Sequence, residues 1–234
     1  MFSRAATLLV VALGLFSLSC GTTRGAQPWR DTYESRLEML ALLQTVNGEI
    51  LAASSATATL ERWCREHRMA AQPAIVAQRV PGVDKAPSDD QLQRLGVSDR
   101  SAVKYRRVRL QCGAHTFSEA DNWYVPARLT PEMNQLLDTS DVPFGKVVRE
   151  LMPYRRTLEA RLLWSPLPAL WELQRRRVGA GRGSLVIPKE VLVHTAVLYT
   201  ADHQPFSLVV ETYQASSSRS ARADRVSKVE RRGG

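Results

Sequence analysis

Apolar residues recur at Tyr33, Leu37, Leu40, Leu43 and Val46, a spacing of three or four that predicts an amphipathic helix closed by Asn47-Gly48. A second helix is predicted over 59–69, then a short strand over 75–80 and a turn at Pro81-Gly82. A polar connection leads to a brief helix over 91–95 that Gly96 ends. From there the period changes to two. Segments 103–112 and 116–125 read as a hairpin across Gly113-Ala114, and 191–199 and 205–213 as a second across Ala201-Asp202-His203. Between them helices are expected after Thr130 and after Asp141, each with Pro just inside its start, where the missing N–H costs nothing. Segment 158–163 offers one more strand, and 179–184 a Gly/Arg loop. Hairpins separated by helices predict an α+β fold built on a single mostly antiparallel sheet.

The two ends of the chain read differently. Arg4 followed by an uncharged apolar run from Ala5 to Phe16 has the form of an export signal, too short to span a bilayer comfortably. The expected organisation is a signal peptide over 1–19, a tether over 20–30, one domain over 31–214 and a basic tail over 215–234. Cys20 stands where a lipoprotein cysteine would, although Ser17 occupies a position usually aliphatic. Two outcomes stay open: a lipid-anchored protein of the periplasm or outer membrane, and a soluble periplasmic product of ordinary cleavage. With 234 residues and 44% hydrophobic content, the chain can bury a core. Its net charge of +9 owes much to the tail, where six bases face two acids among Ser and Ala residues that predict disorder. That makes the tail first a solvated segment and second a contact for membrane headgroups, and no nucleic-acid partner is expected. With Cys20 set aside, Cys64 and Cys112 remain, either as a disulfide or as two separate buried thiols. The histidines His67, His115, His194 and His203 are scattered, and no metal-ligand spacing appears.

Three stretches carry a resemblance when taken in order. They are the arginine-rich strand VKYRRVRLQC, the run SEADNWYVPARLTPEMNQLLDTSDVPFG from Ser118 to Gly145, and the strand FSLVVETY with its one acid. This order resembles the chorismate lyase family and the related UTRA effector-binding domain of bacterial transcription regulators, over roughly residues 91–213. The resemblance implies a chorismate-lyase-like fold, an antiparallel sheet with helices covering the ligand side. It also implies elimination of pyruvate from chorismate to leave 4-hydroxybenzoate, with no metal or organic cofactor.

Site residues follow from the resemblance. Counted back from Cys112, Arg107 matches a substrate-binding arginine, and a guanidinium can grip a carboxylate through two parallel hydrogen bonds. Alternation places Tyr105, Arg107 and Arg109 on one face, and Val108, Leu110 and Cys112 on the other. The turn at Phe144 and Gly145 matches a Pro-Leu-Gly turn whose backbone holds a ligand carboxylate, and free amides at a helix start suit an anion. Glu211 matches the lyase glutamate and is the candidate catalytic acid. Asn122 stands where lyases carry an arginine, and Glu119 resembles a UTRA glutamate. Three functions are therefore carried forward: a lyase, a non-catalytic module binding a small aromatic or carboxylated ligand, and an envelope protein with a vestigial pocket. A monomer is expected in each.

Overall fold

The computed structural model describes residues 29–173, 181 and 183–215. The predicted signal peptide, Cys20, most of the tether, nearly all of the basic tail and much of the 179–184 loop lie outside the described residues. Five helices and six strands are defined there: α1 Tyr33–Ala52, α2 Ala56–Glu66, β1 Ile75–Arg79, α3 Asp89–Leu95, β2 Lys104–Cys112 and β3 His115–Tyr124. They continue with α4 Pro131–Thr139, α5 Phe144–Val147, β4 Tyr154–Leu162, β5 Glu190–Tyr199 and β6 Pro205–Gln214. The strands form one sheet in the order β1-β2-β3-β6-β5-β4, and every neighbouring pair is antiparallel. The fold is α+β, as the alternation of hairpins and helices predicts.

Helix α1 runs through Asn47-Gly48 to Ala52, past the expected stop. Gly48 weakens a helix by roughly 1 kcal/mol relative to Ala, but the fully buried Ile50 rewards one more turn. Helix α2 starts three residues earlier than its apolar spacing suggests, because Ser55 caps it by accepting from the Ala58 amide at 3.3 Å. Ser88 and Gln91 form a reciprocal capping box at the start of α3, and Gly96 ends that helix at φ 62°, a left-handed conformation glycine adopts without strain.

The sheet separates two environments. On one face, α1, α2 and β1 join Phe117, Leu192 and Tyr213 in the main core, where Trp164 packs at the edge. On the other, Leu95 of α3 packs against Trp123, Val197 and Leu208. A bulge between Leu110 and Gln111 shifts the β2–β3 register, and Phe117 and Ser118, consecutive in sequence, are both buried there. Cys64 of α2 and Cys112 of β2 are joined as a disulfide with Cα atoms 6.3 Å apart, so the helix is tied covalently to the sheet. Among the described residues no helix is long and apolar enough to cross a membrane.

Candidate functional site

A cavity of about 680 Å³, counting its open mouth, lies between the helical layer and the strands β2, β3, β6, β5 and β4. Its floor is the sheet face bearing Arg106, Val108 and Leu110 of β2, Ala120 and Asn122 of β3, and Ser207, Val209 and Glu211 of β6. Leu198 and Arg155 extend that floor toward the β4 edge. The roof is the start of α2, Ser55 to Thr57, together with Phe144 and Gly145. A Cβ on Gly145 would sit only 3.2 Å from the hydroxyl oxygens of both Ser55 and Thr57, so glycine there lets two helix starts approach each other.

Two guanidinium groups stand out on this floor. Arg155 reaches the cavity after a sharp turn in which Met152 takes a left-handed conformation and Pro153 immediately precedes the strand. Its side chain is only 5% exposed; Nε and Nη2 have no partner of good hydrogen-bond geometry, though the guanidinium lies close enough to Tyr213 to oppose the rise of that phenol's pKa. Nη1 lies 4.0 Å from Glu211, the outer limit of an ion pair. Arg106 is 6% exposed; its Nη2 donates to the Ser140 and Val142 carbonyls at 3.3 Å each, and its Nε is unpartnered. Burial lowers its pKa, the loss of hydration being the largest cause. Three donors of this site, Arg106 Nε and Arg155 Nε and Nη2, are thus buried without a partner of good geometry, which is uncommon and costly.

Glu211, 3% exposed, is held from two sides. Ser118 Oγ and Tyr213 OH donate to its two oxygens at 2.8 Å each. Burial, and then the Glu211 charge, pushes the Tyr213 phenol upward, which keeps it a donor. On the next strand His194 faces Glu211 in register, packs edge-on against Tyr213 and bonds Asn47 of α1 through Nε2 at 2.8 Å. Burial, with Arg155 a second cause, lowers the His194 pKa to about 4. Asn122, also buried, accepts from Ser207 Oγ at 2.6 Å.

Of the predicted site residues, Glu211, Phe144 and Gly145 line this cavity. Arg107 and Glu119 do not, and here the expectation is corrected. They lie on the opposite sheet face, where Arg107 Nη2 meets Glu119 at 2.8 Å and Nη1 lies 3.7 Å from Asp121. Glu119 also receives Lys189 at 3.1 Å, Gln214 at 3.2 Å and Arg109 at 3.5 Å. That company, led by Arg107, holds the Glu119 pKa at about 2. Period-two alternation sends Arg106 inward with Val108 and Leu110, and Arg107 outward. The predicted helix-start anion site at Phe144 also changes character. Helix α5 has four residues and Pro143 as its cap, too short for an appreciable dipole, though the Phe144 and Gly145 amides make no backbone hydrogen bond. Arg155 was not anticipated, because the strand that carries it begins at Tyr154, four residues before the segment that reads as strand. Among the described residues no group of three His, Cys, Asp or Glu side chains could hold a metal ion.

No family model matches the chain. It is 46% identical over 215 residues, 91% of both chains, to the uncharacterized protein y4mC of Sinorhizobium fredii. Solved structures with a similar chain path include YydK of Bacillus subtilis, described as a possible transcriptional regulator, with a TM-score of 0.38, 12% identity and 64% of this chain covered. PhnF of Mycobacterium smegmatis has a TM-score of 0.40, 14% identity and 62% coverage. The chain spans 63% of YydK and 60% of PhnF.

Proposed function

The chain belongs to the same family as y4mC of Sinorhizobium fredii, and from that premise we propose that it is a binding protein for a small aromatic or carboxylated ligand. The observation that carries this reading is Arg155: a guanidinium 5% exposed, with two nitrogens lacking a partner of good geometry, on the wall of an otherwise largely apolar cavity. A carboxylate seated there would satisfy the free donors in bidentate fashion, with Arg106 supplying a second positive charge from β2. Val108, Leu110, Phe144 and Leu198 would cover the ligand's apolar body.

A second reading keeps the lyase chemistry, because Glu211 shares the cavity with both guanidinium groups. A carboxyl acid at Glu211 would protonate the ether oxygen as its bond to the ring breaks and enolpyruvate leaves, the ring proton at C4 passing to solvent to give 4-hydroxybenzoate. Yet both Glu211 oxygens already accept hydroxyl hydrogen bonds, so it is arranged as an acceptor, and binding without turnover is the favoured reading.

One experiment separates the two. The purified protein is incubated with chorismate and 4-hydroxybenzoate release is followed; its melting temperature is measured with and without 4-hydroxybenzoate and benzoate. Binding without catalysis predicts no release and a raised melting temperature that Arg155→Met abolishes. Release that Glu211→Gln eliminates establishes the lyase instead. No release and no shift sinks both.

The reading extends to location. Export with lipidation at Cys20 is supported by the apolar N-terminal run and by the Cys64–Cys112 disulfide, a bond at home in an oxidising compartment. Metabolic labelling with palmitate, lost in Cys20→Ser, tests the lipid; an unlabelled but truncated product would mean ordinary cleavage.

A further inference from the structure

An open outer vestibule adjoins the inner cavity and shares Ser54, Ser55, Gly145 and Pro153 with it. The vestibule wall carries three bases, Arg65, Lys146 and Arg149, against one acid, Glu61. The acid is already engaged: Lys146 forms an ion pair with it, and the Ile75 amide donates to it at 3.2 Å. Arg65 and Arg149 are exposed and form no ion pair among the described residues, although the Arg65 charge, after that of Lys146, also acts on the Glu61 carboxyl one turn away. They extend from different elements, α2 and the turn after α5, toward one space.

Two exposed cations without an ion pair stand beside the mouth of a cavity that holds two guanidinium groups and one carboxylate, so bases outnumber acids in both spaces. Low-dielectric walls strengthen the field of such an excess. We propose that the vestibule is a second anion subsite, and that the ligand carries two acidic groups joined by an apolar span. One group sits at Arg155 and Arg106; the other projects past Gly145 to Arg65 and Arg149. This rests on the reading of the inner cavity as a carboxylate site and adds the length and charge of what it takes. The span passes on the Ser54 and Pro153 side of Gly145, since Gly145 stands too close to the Ser55 and Thr57 hydroxyls to leave room even for a Cβ.

The test uses two probes that differ only at the far end, 4-butylbenzoate and 4-(3-carboxypropyl)benzoate, titrated calorimetrically into the protein and into an Arg65→Ser/Arg149→Ser variant. Both arginines are exposed and unpaired, so the variant should fold as the parent does. The diacid is expected to bind the parent about tenfold more tightly than the butyl probe, the gain of one added charge-assisted contact. That advantage should disappear in the variant, with the butyl probe's affinity unchanged, and should shrink as salt is raised. Equal affinities for the two probes in the parent would overturn the vestibule subsite and leave the inner site standing. A diacid advantage that survives in the variant would overturn the assignment to Arg65 and Arg149. If neither probe binds, the inner carboxylate site fails, and this inference fails with it.

Discussion

Arg106 and Arg107 are consecutive on β2 and end in opposite chemistry. Arg107 faces outward into a network in which Glu119, Asp121, Lys189 and Gln214 share charge and hydrogen bonds, and its pKa is raised, the Glu119 hydrogen bond being the largest cause. Arg106 faces inward, buried, with two long bonds to carbonyls, one nitrogen unpartnered and a lowered pKa. Arg107 Nε is buried without a partner too, but its other two nitrogens face the Glu119 and Asp121 carboxylates, which balance its charge. Arg106 bonds only carbonyls, and Arg155 has one carboxylate at 4.0 Å. A charge balanced within the chain marks structure, and on the proposed reading a poorly balanced one enclosed by apolar walls marks the ligand site.

The sharpest way to break this comparison is to remove each arginine in turn. Arg106→Met should weaken 4-hydroxybenzoate about 100-fold, as loss of one partner from a buried charge pair does. The same change should leave the free protein as stable as before, or more stable by about 1–2 kcal/mol, because a desolvated and incompletely bonded cation is replaced by a chain of similar volume. Arg107→Met should do the reverse: unchanged affinity and a stability loss of about 1 kcal/mol. Calorimetric titration and urea unfolding of the two variants read both quantities. Loss of affinity in Arg107→Met alone would return the site to the outer face.

The inner face also holds a group that avoids charge. His194 has its folded pKa lowered to about 4 from an ordinary 6.5, by burial first and the Arg155 charge second. The groups facing it are Glu211 and Tyr213 from β6, Asn47 from α1 and Arg155 from β4. Between those pH values the unfolded chain takes up a proton that the fold refuses, so stability is complete above 6.5 and falls as pH drops toward 4. The loss should amount to about 3 kcal/mol by pH 4, since each pKa unit is worth about 1.4. In His194→Gln the slope in this window should flatten. An unchanged slope would place the acid sensitivity elsewhere.

Much of this division was legible in the sequence. The period-two pattern through Val108, Leu110 and Cys112 already assigns Arg106 to the apolar face. Counting by family pattern from Cys112 selects Arg107 instead, a one-residue slip, and in a strand one residue is the difference between core and solvent. Glu211 and the Phe144-Gly145 turn are readable because a lone acid in an apolar strand and a Pro-Phe-Gly turn are local signals. Arg155 is not. Its strand is an edge strand with several exposed positions, so its alternation is weak, and only the turn at Met152-Pro153 and pairing with Leu198 set which way it points. The role of α2 as a roof is likewise tertiary, fixed by the disulfide and by its close contact with Gly145.

The smallest effect concerns the outer network and separates it from the inner face by pH alone. Glu119 is held near pKa 2 against an ordinary 4.5, with the Arg107 hydrogen bond the largest cause and Lys189 adding to it. A carboxylate whose folded pKa is depressed contributes stability that is fully present above 4.5 and is lost as pH falls through about 2. Because Arg107 and Lys189 remain partly hydrated, the contribution at neutral pH should be about 1 kcal/mol, well below what the shift alone would give. Glu119→Gln should therefore be less stable than the parent at pH 7, and the two should converge as the parent's carboxylate is protonated below pH 4.5. Its affinity for 4-hydroxybenzoate should equal the parent's throughout. Because the His194 window lies above pH 4 and most of the Glu119 window below it, unfolding curves across pH assign each loss to one face of the sheet. A Glu119→Gln variant that weakened the ligand would mean that the two faces are coupled through β2 and β3, and the separation argued from Arg106 and Arg107 would not hold.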